Sequence, residues 1–193
     1  MNLIFDIGNV LVNYKPVTFL EGLFSDRYLV VKMYNTIFKS PEWLYMDQGN
    51  MTRDEAIDVF CAREPEFALA IRITIQSVNE IFTPKQETIE LLPKLLESGH
   101  SLYFLSNMQS EIRDFLLDKY EFFNLFHGGI FSCDVHAIKP SPEIYLYLLE
   151  KYRLIPEDCI FFDDVEENVT AAEKEGMKGV LFTTAECVLP YLV

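Results

Sequence analysis

The sequence predicts an α/β fold: a Rossmann-like parallel sheet core with an inserted helical subdomain. Five short apolar runs recur along the 193 residues, helical patterns separate the last four, and nearly a hundred residues lie between the first and the second. That alternation is the pattern of strands joined by crossover helices. A hydrophobic content of 50% is enough for one full core and a second small unit.

The first strand is expected over Leu3 to Asp6. From Lys15 to Phe82 only helical periodicity and capping signals occur, so the expected division is 1–14 and 83–193 for the α/β core and 15–82 for the helical subdomain. Thr52-x-x-Glu55 is a capping box, because each end satisfies an amide of the other, and it opens a helix over Glu55 to Ala62. The aromatic residues of this segment (Phe19, Phe24, Tyr28, Tyr34, Phe38, Trp43, Tyr45) stand at helical spacing and are either the lining of a substrate pocket or, as such residues more often are, plain core. Pro93 falls inside the run Glu87 to Glu97 and must kink that helix or split it. Gly99 and Gly176 stand where helices stop before strands. The remaining strands are expected over Ser101 to Ser106, Gly129 to Ser132, Cys159 to Asp163 and Gly179 to Phe182. Leu102-Tyr103-Phe104-Leu105 and Ile160-Phe161-Phe162 are apolar at successive positions, which suits a parallel sheet covered on both faces.

A formal net charge of −14 with no basic stripe excludes nucleic acid as a partner. It also means that a phosphate ligand must be small and locally attracted by a metal ion or a placed lysine. Cys61, Cys133, Cys159 and Cys187 are scattered without a C-x-x-C pair, so neither a disulfide framework nor a zinc site is indicated. The first residues run into a strand without a basic leader, and no apolar stretch approaches the roughly 20 residues that a membrane helix needs. A cytoplasmic location with no membrane partner is expected. Composition does not specify an oligomeric state.

The polar residues at the predicted strand ends carry the chemistry. The first strand ends in Phe5-Asp6-Ile7-Gly8-Asn9, the second in Leu105-Ser106-Asn107, the fourth in Phe162-Asp163-Asp164, and Ile138-Lys139-Pro140 follows the third. In an open parallel sheet these ends converge on one crevice. The set comprises a carboxylate nucleophile, a hydroxyl and an amide for phosphate oxygens, a fixed cation, and further carboxylates for Mg²⁺, a hard ion that takes oxygen ligands. Three carboxylates balanced by a divalent cation and a lysine leave the site near neutral; without the metal it repels a phosphate dianion.

The stretches FDIGNVLVNY, YFLSN, IKPSPEIY and FFDDVEENVTAAEKEGM resemble the four ordered motifs of the haloacid dehalogenase-like (HAD) hydrolase superfamily. The helical insertion resembles its C1 cap, and the Asp-x-Gly-Asn-Val form is most similar to the branch that contains glucose-1-phosphate phosphatases. The resemblance implies a Mg²⁺-dependent phosphatase of a small phosphorylated metabolite such as a sugar phosphate. Asp6 would form an aspartyl-phosphate, Ser106 and Asn107 would bind phosphoryl oxygens, and Lys139 would stabilise charge. Asp6, the Gly8 carbonyl, Asp163 directly and Asp164 directly or through water would hold the metal, with Asn168 orienting the acidic loop.

Gly8 departs from the D-x-D form, in which the second aspartate protonates the leaving group and later activates water. General acid–base catalysis contributes about 10²- to 10⁴-fold. Its loss points to weakly basic leaving groups, such as anomeric, acyl or aryl phosphates, or to a proton donor borrowed from the cap or the substrate. Two other readings stay open: a haloacid dehalogenase, which needs no Mg²⁺, and a non-catalytic binding module that keeps the fold.

Overall fold

The structure is a computed structural model and describes residues 1–192. Strand β1 (Asn2–Phe5) leads into a short β2 (Val12–Asn13), and five helices follow: α1 (Pro16–Leu23), α2 (Arg27–Met33), α3 (Pro41–Asp47), α4 (Arg53–Arg63) and α5 (Ala68–Gln76). After β3 (Thr83–Pro84) come α6 (Gln86–Ile89), α7 (Leu92–Glu97), β4 (Ser101–Ser106), α8 (Ser110–Lys119), β5 (Gly128–Phe131), α9 (Ser132–Val135), α10 (Pro142–Tyr152), β6 (Cys159–Asp163), α11 (Glu166–Lys174) and β7 (Lys178–Leu181).

The main sheet has five strands in the order β5-β4-β1-β6-β7, and every pairing is parallel. Central β1 aligns Phe5 with Phe104 on one side and with Phe162 on the other, so the carboxyl ends of three strands finish within two residues of one another. The side-chain period of two then sorts the apolar runs onto opposite faces. Leu3, Phe5, Leu102, Phe104, Ile160 and Phe162 join one core with Leu92 and Leu95 of α7 and Ile112 and Leu116 of α8. Ile4, Tyr103, Leu105 and Phe161 join a second core with Ile144, Tyr145 and Leu148 of α10 and Ala172 of α11. Phe5 and Phe162 stack with ring centroids 4.9 Å apart. Each fully buried ring of this kind contributes about 1.5–3 kcal/mol relative to exposure.

Local signals explain the element ends. The Thr52 capping box forms in both directions, with the Thr52 N–H donating to Glu55 Oε2 at 2.8 Å and the Glu55 N–H donating to Thr52 Oγ1 at 3.3 Å. Pro93 splits its run into α6 and α7 and sits in the first turn of α7, where its missing N–H costs nothing. Gly99 and Gly176 end their helices at φ of +82° and +87°. Ser132 opens α9 instead of ending β5, and β7 starts one residue earlier than expected.

The segment 16–81 is helical, with a π-helical turn over Tyr34–Phe38 between α2 and α3. A feature not expected from sequence joins its two ends: β2 pairs antiparallel with β3, Val12 opposite Pro84 and Asn13 opposite Thr83. Asn13 Nδ2 adds a hydrogen bond to Thr83 Oγ1 at 3.0 Å. The apolar side chains of the insertion, among them Met33, Ile37, Phe60 and Ile71, are continuous with the core on the β1 face that holds Phe5. All four cysteines are free thiols. Among the described residues no helix is long and apolar enough to cross a membrane.

Gly129 in β5 backs directly onto the Phe104 ring, where an added Cβ would lie 2.3 Å from a ring carbon. Phe123, Phe126 and Phe131 pack around that ring and leave it no room to retreat. Gly129→Ala is therefore expected to destabilise the protein by about 1–3 kcal/mol through overpacking, read as a shift in the denaturant midpoint at unchanged slope.

Candidate active site

Asp6 is the first residue past β1, and its N–H continues the ladder by donating to the Phe162 carbonyl at 2.8 Å. The chain then turns tightly, with the Leu11 N–H bonded to the Ile7 carbonyl and Asn9 at a φ of +55°. Asparagine tolerates that left-handed conformation, and here its side chain is also used. Asn9 Nδ2 donates to Asp164 Oδ2 at 2.9 Å, while Asn9 Oδ1 accepts from the Tyr14 N–H at 3.0 Å. Lys85 closes the turn by donating to the Asn9 carbonyl at 2.9 Å.

Lys139 lies at the centre of the strand ends and is only 4% exposed. Its Nζ donates to Asp6 Oδ1 at 2.7 Å and to Asp163 Oδ2 at 2.6 Å. Burial disfavours the ammonium, but the adjacent Asp6 and Asp163 carboxylates win and hold Lys139 above the usual lysine range. Asp6 shows the opposite balance. Burial, aided by the charges of Asp163 and Asp164 and opposed by Lys139, pushes its carboxyl up to about 7. Asp164 is likewise raised, chiefly by burial and against its hydrogen bond from Asn9.

Asp163 is fully buried and heavily engaged: besides Lys139, it accepts from the Val165 N–H at 2.8 Å and from Asn168 Nδ2 at 3.1 Å on both oxygens. Tyr145 in turn donates to the Asn168 carbonyl at 2.9 Å and steadies the start of α11. Asn107 departs from its expected use. Its Nδ2 donates to the Lys139 carbonyl at 3.0 Å and its Oδ1 accepts from the Lys139 N–H at 2.8 Å. The amide thus grips the lysine main chain and leaves its side chain little capacity for phosphate. Ser106 Oγ has only a long 3.5 Å contact, to the Asn107 carbonyl, so its hydroxyl keeps its capacity for a ligand.

One oxygen from each of Asp6, Asp163 and Asp164 lies within 4.8 Å of the others. Three clustered carboxylates stand beside one lysine, and their mutual repulsion adds to the burial that raises Asp6 and Asp164. A hard divalent cation fits this donor set: it takes carboxylate oxygens and supplies the missing positive charge.

Above these residues is a cavity of about 340 Å³. Asp6, Gly8, Ser106, Asn107, Lys139, Asp164 and Asn168 line its floor, while Tyr14, Trp43, Asp47, Phe82, Met108 and Ile112 line the rest. The structure therefore brings together every residue expected from sequence, with Asp163 beneath Lys139. Sequence reasoning missed Asn9, Tyr14, Asp47 and Phe82. Asn9 carried a signal, an asparagine following glycine in a turn; Asp47 carried none, being one of many acidic residues on a helix.

The profile of the haloacid dehalogenase-like hydrolases matches residues 1–176. The chain belongs to that family. Among its relatives, the sesquiterpene phosphatase astK of Aspergillus oryzae is 26% identical over 181 residues, covering 93% of this chain and 88% of the relative. Drimenol cyclase drtB of Aspergillus calidoustus is 27% identical over 183 residues, and the chain spans only 33% of that longer protein. In fold, the chain is similar to a HAD family enzyme of Bacteroides thetaiotaomicron, solved with magnesium and inorganic phosphate (TM-score 0.74, 21% identity, 94% of this chain and 93% of the other). It is also similar to the L-2-haloacid dehalogenase of Xanthobacter autotrophicus (TM-score 0.69, 16% identity, 97% and 80% covered).

Asp47 is 9% exposed, and burial pushes its carboxyl from 3.8 up to about 8, against a hydrogen bond from Trp43. The unfolded chain releases this proton above about pH 4, whereas the folded protein keeps it to about pH 8. Across that window the folded state binds the extra proton, so its stability falls as pH rises. Asp47→Asn removes the penalty: its thermal midpoint is expected to match wild type at pH 4 and to exceed it increasingly up to pH 8.

Proposed function

We propose that this HAD-like hydrolase is a Mg²⁺-dependent phosphomonoesterase acting on a small phosphorylated metabolite through an aspartyl-phosphate on Asp6. The observation that carries the reading is the buried Lys139 shared by Asp6 and Asp163 beside the less engaged carboxylate Asp164. Asp6, the Gly8 carbonyl and Asp164 would hold the ion, with Asp163 completing the acidic cluster. The hydrogen bonds favour Asp164 over Asp163 as the more available direct ligand, because Asp163 already serves Lys139, Val165 and Asn168. Bound Mg²⁺ supplies charge neutralisation for the incoming dianion. Lys139 holds the Asp6 carboxylate in place and stabilises charge on the phosphoryl oxygens, and Ser106 donates to one of them. Asn107 and Asn168 act through the residues they grip.

The family of the chain and the phosphatase among its relatives support this reading. Residues 15–82 serve as a cap, since Trp43 and Asp47 from that segment complete the cavity. Its wall beyond the floor is mostly Tyr14, Trp43, Phe82, Met108 and Ile112, which suits a substrate with a largely apolar body better than a polyhydroxylated sugar. Four free thiols fit a reducing cytoplasm. A second reading, a dehalogenase, has support from the fold likeness to L-2-haloacid dehalogenase, but metal-independent chemistry has no use for Asp164 beside Asp6 and Asp163.

Phosphate release from a panel of phosphomonoesters tests the reading. Activity is expected to require Mg²⁺, to stop with EDTA, and to fall on the order of 10³-fold or more in Asp6→Asn. Chloride release from 2-chloropropionate without metal would instead favour the dehalogenase. Asn9→Ala, which frees Asp164 from its hydrogen bond, is expected to raise the Mg²⁺ concentration for half-activation by about 10- to 100-fold, read by titrating the metal at saturating substrate.

A further inference from the structure

Gly8 leaves a phosphatase without the usual proton source, and the space beside it is open. A Cβ placed on Gly8 would meet only Asp6 Oδ2 and Tyr14 Cβ, both at 3.9 Å. Across the same cavity stands Asp47, the last residue of α3. Three successive residues fix it against the core. The Asp47 carbonyl accepts a hydrogen bond from the Ser132 hydroxyl, which itself accepts from the Met108 N–H at 2.8 Å. The Gln48 carbonyl meets His136 Nδ1 at 2.9 Å. Gly49, at a φ of +70°, lies so close to Cys133 that a Cβ would come within 2.5 Å of the Cys133 carbonyl oxygen.

We propose that Asp47 is the proton donor to the leaving group in this enzyme, taking the part that Gly8 cannot. The inference rests on the phosphatase reading and extends it. Among the described residues no cation forms an ion pair with Asp47, and the titratable groups facing it are Tyr14, from the loop after β2, and Cys133, from α9. Both are held in their neutral forms by burial. Asp47 is itself kept protonated by burial at neutral pH, so it has a proton to give.

The steps balance. Asp6 attacks phosphorus, the bond from phosphorus to the alcohol oxygen breaks, and the Asp47 proton goes to that oxygen, releasing the alcohol and leaving Asp47 as carboxylate. A water molecule then attacks the aspartyl-phosphate, the bond from phosphorus to Asp6 breaks, and the water proton returns to Asp47 as inorganic phosphate departs. Burial penalises the intermediate carboxylate and favours its reprotonation.

The test compares Asp47→Asn with wild type, both with Mg²⁺, on p-nitrophenyl phosphate and on a series of aryl and alkyl phosphates of rising leaving-group pKa. With Asp47 as donor, wild type shows a shallow dependence on leaving-group pKa. In Asp47→Asn the loss is expected to reach about 10²- to 10⁴-fold for alkyl esters and to stay under about 10-fold for p-nitrophenyl phosphate. Adding Gly8→Asp to Asp47→Asn is expected to restore turnover of alkyl esters. A uniform loss across the series, or none, overturns the proposal, as does a steep dependence in wild type, which needs no variant to fold. Absence of Asp6-dependent phosphate release from every ester overturns the phosphatase reading itself and this inference with it, whereas a robust activity indifferent to Asp47 overturns the inference alone.

Discussion

The ammonium of Lys139, buried between Asp6 and Asp163, is the interaction on which the site depends. Removing one lysine and two carboxylates from water costs several kcal/mol per ion, and only close, well-directed hydrogen bonds offset that cost. The offset requires β1 and β6 to finish level, because each contributes one carboxylate, and requires the loop before α10 to enter from above the sheet. Asn107, from the end of β4, grips the main chain of the same lysine. One cation thereby ties the loop before α10 to three strand ends that the sheet already brings together.

The pairing also explains why the site stays electrostatically unfinished. Lys139 balances one carboxylate, a third stands beside them, and the burial that shapes the cavity amplifies what remains. Asp6 and Asp164 resist ionisation in these surroundings. A site built for permanent neutrality would place two further basic residues there; this one leaves a surplus of negative charge suited to a divalent ion.

Much of this was legible in the sequence because parallel strands covered on both faces have a plain signature. Runs such as Leu102 to Leu105 are apolar at every position, and a polar residue just after each run marks the crevice. The antiparallel pair β2 and β3 was not legible, since two-residue strands carry no periodicity and their partners lie far apart in the chain. Asn107 illustrates another limit: its place at a strand end was readable, but whether its amide faces a ligand or the Lys139 main chain depends on the loop path. Asp47 was invisible for a third reason. Its environment comes from Ser132, Cys133 and Tyr14, and nothing in the sequence around position 47 shows that a surface-like acidic residue will be enclosed.

The position of β1 at the middle of the sheet has a consequence for how the protein comes into being. Asp6 and Lys139 are 133 residues apart, and the strands on either side of β1 are made long after it. During synthesis β1 is an apolar strand with two unsatisfied edges, while the helical insertion, held together by contacts near in sequence, is complete before either partner strand emerges. The helices that share the face of Phe5 are the first available cover for it. On this view the helical insertion begins its existence as a shield for the unpaired central strand, and the charged centre cannot form until β6 has joined β1.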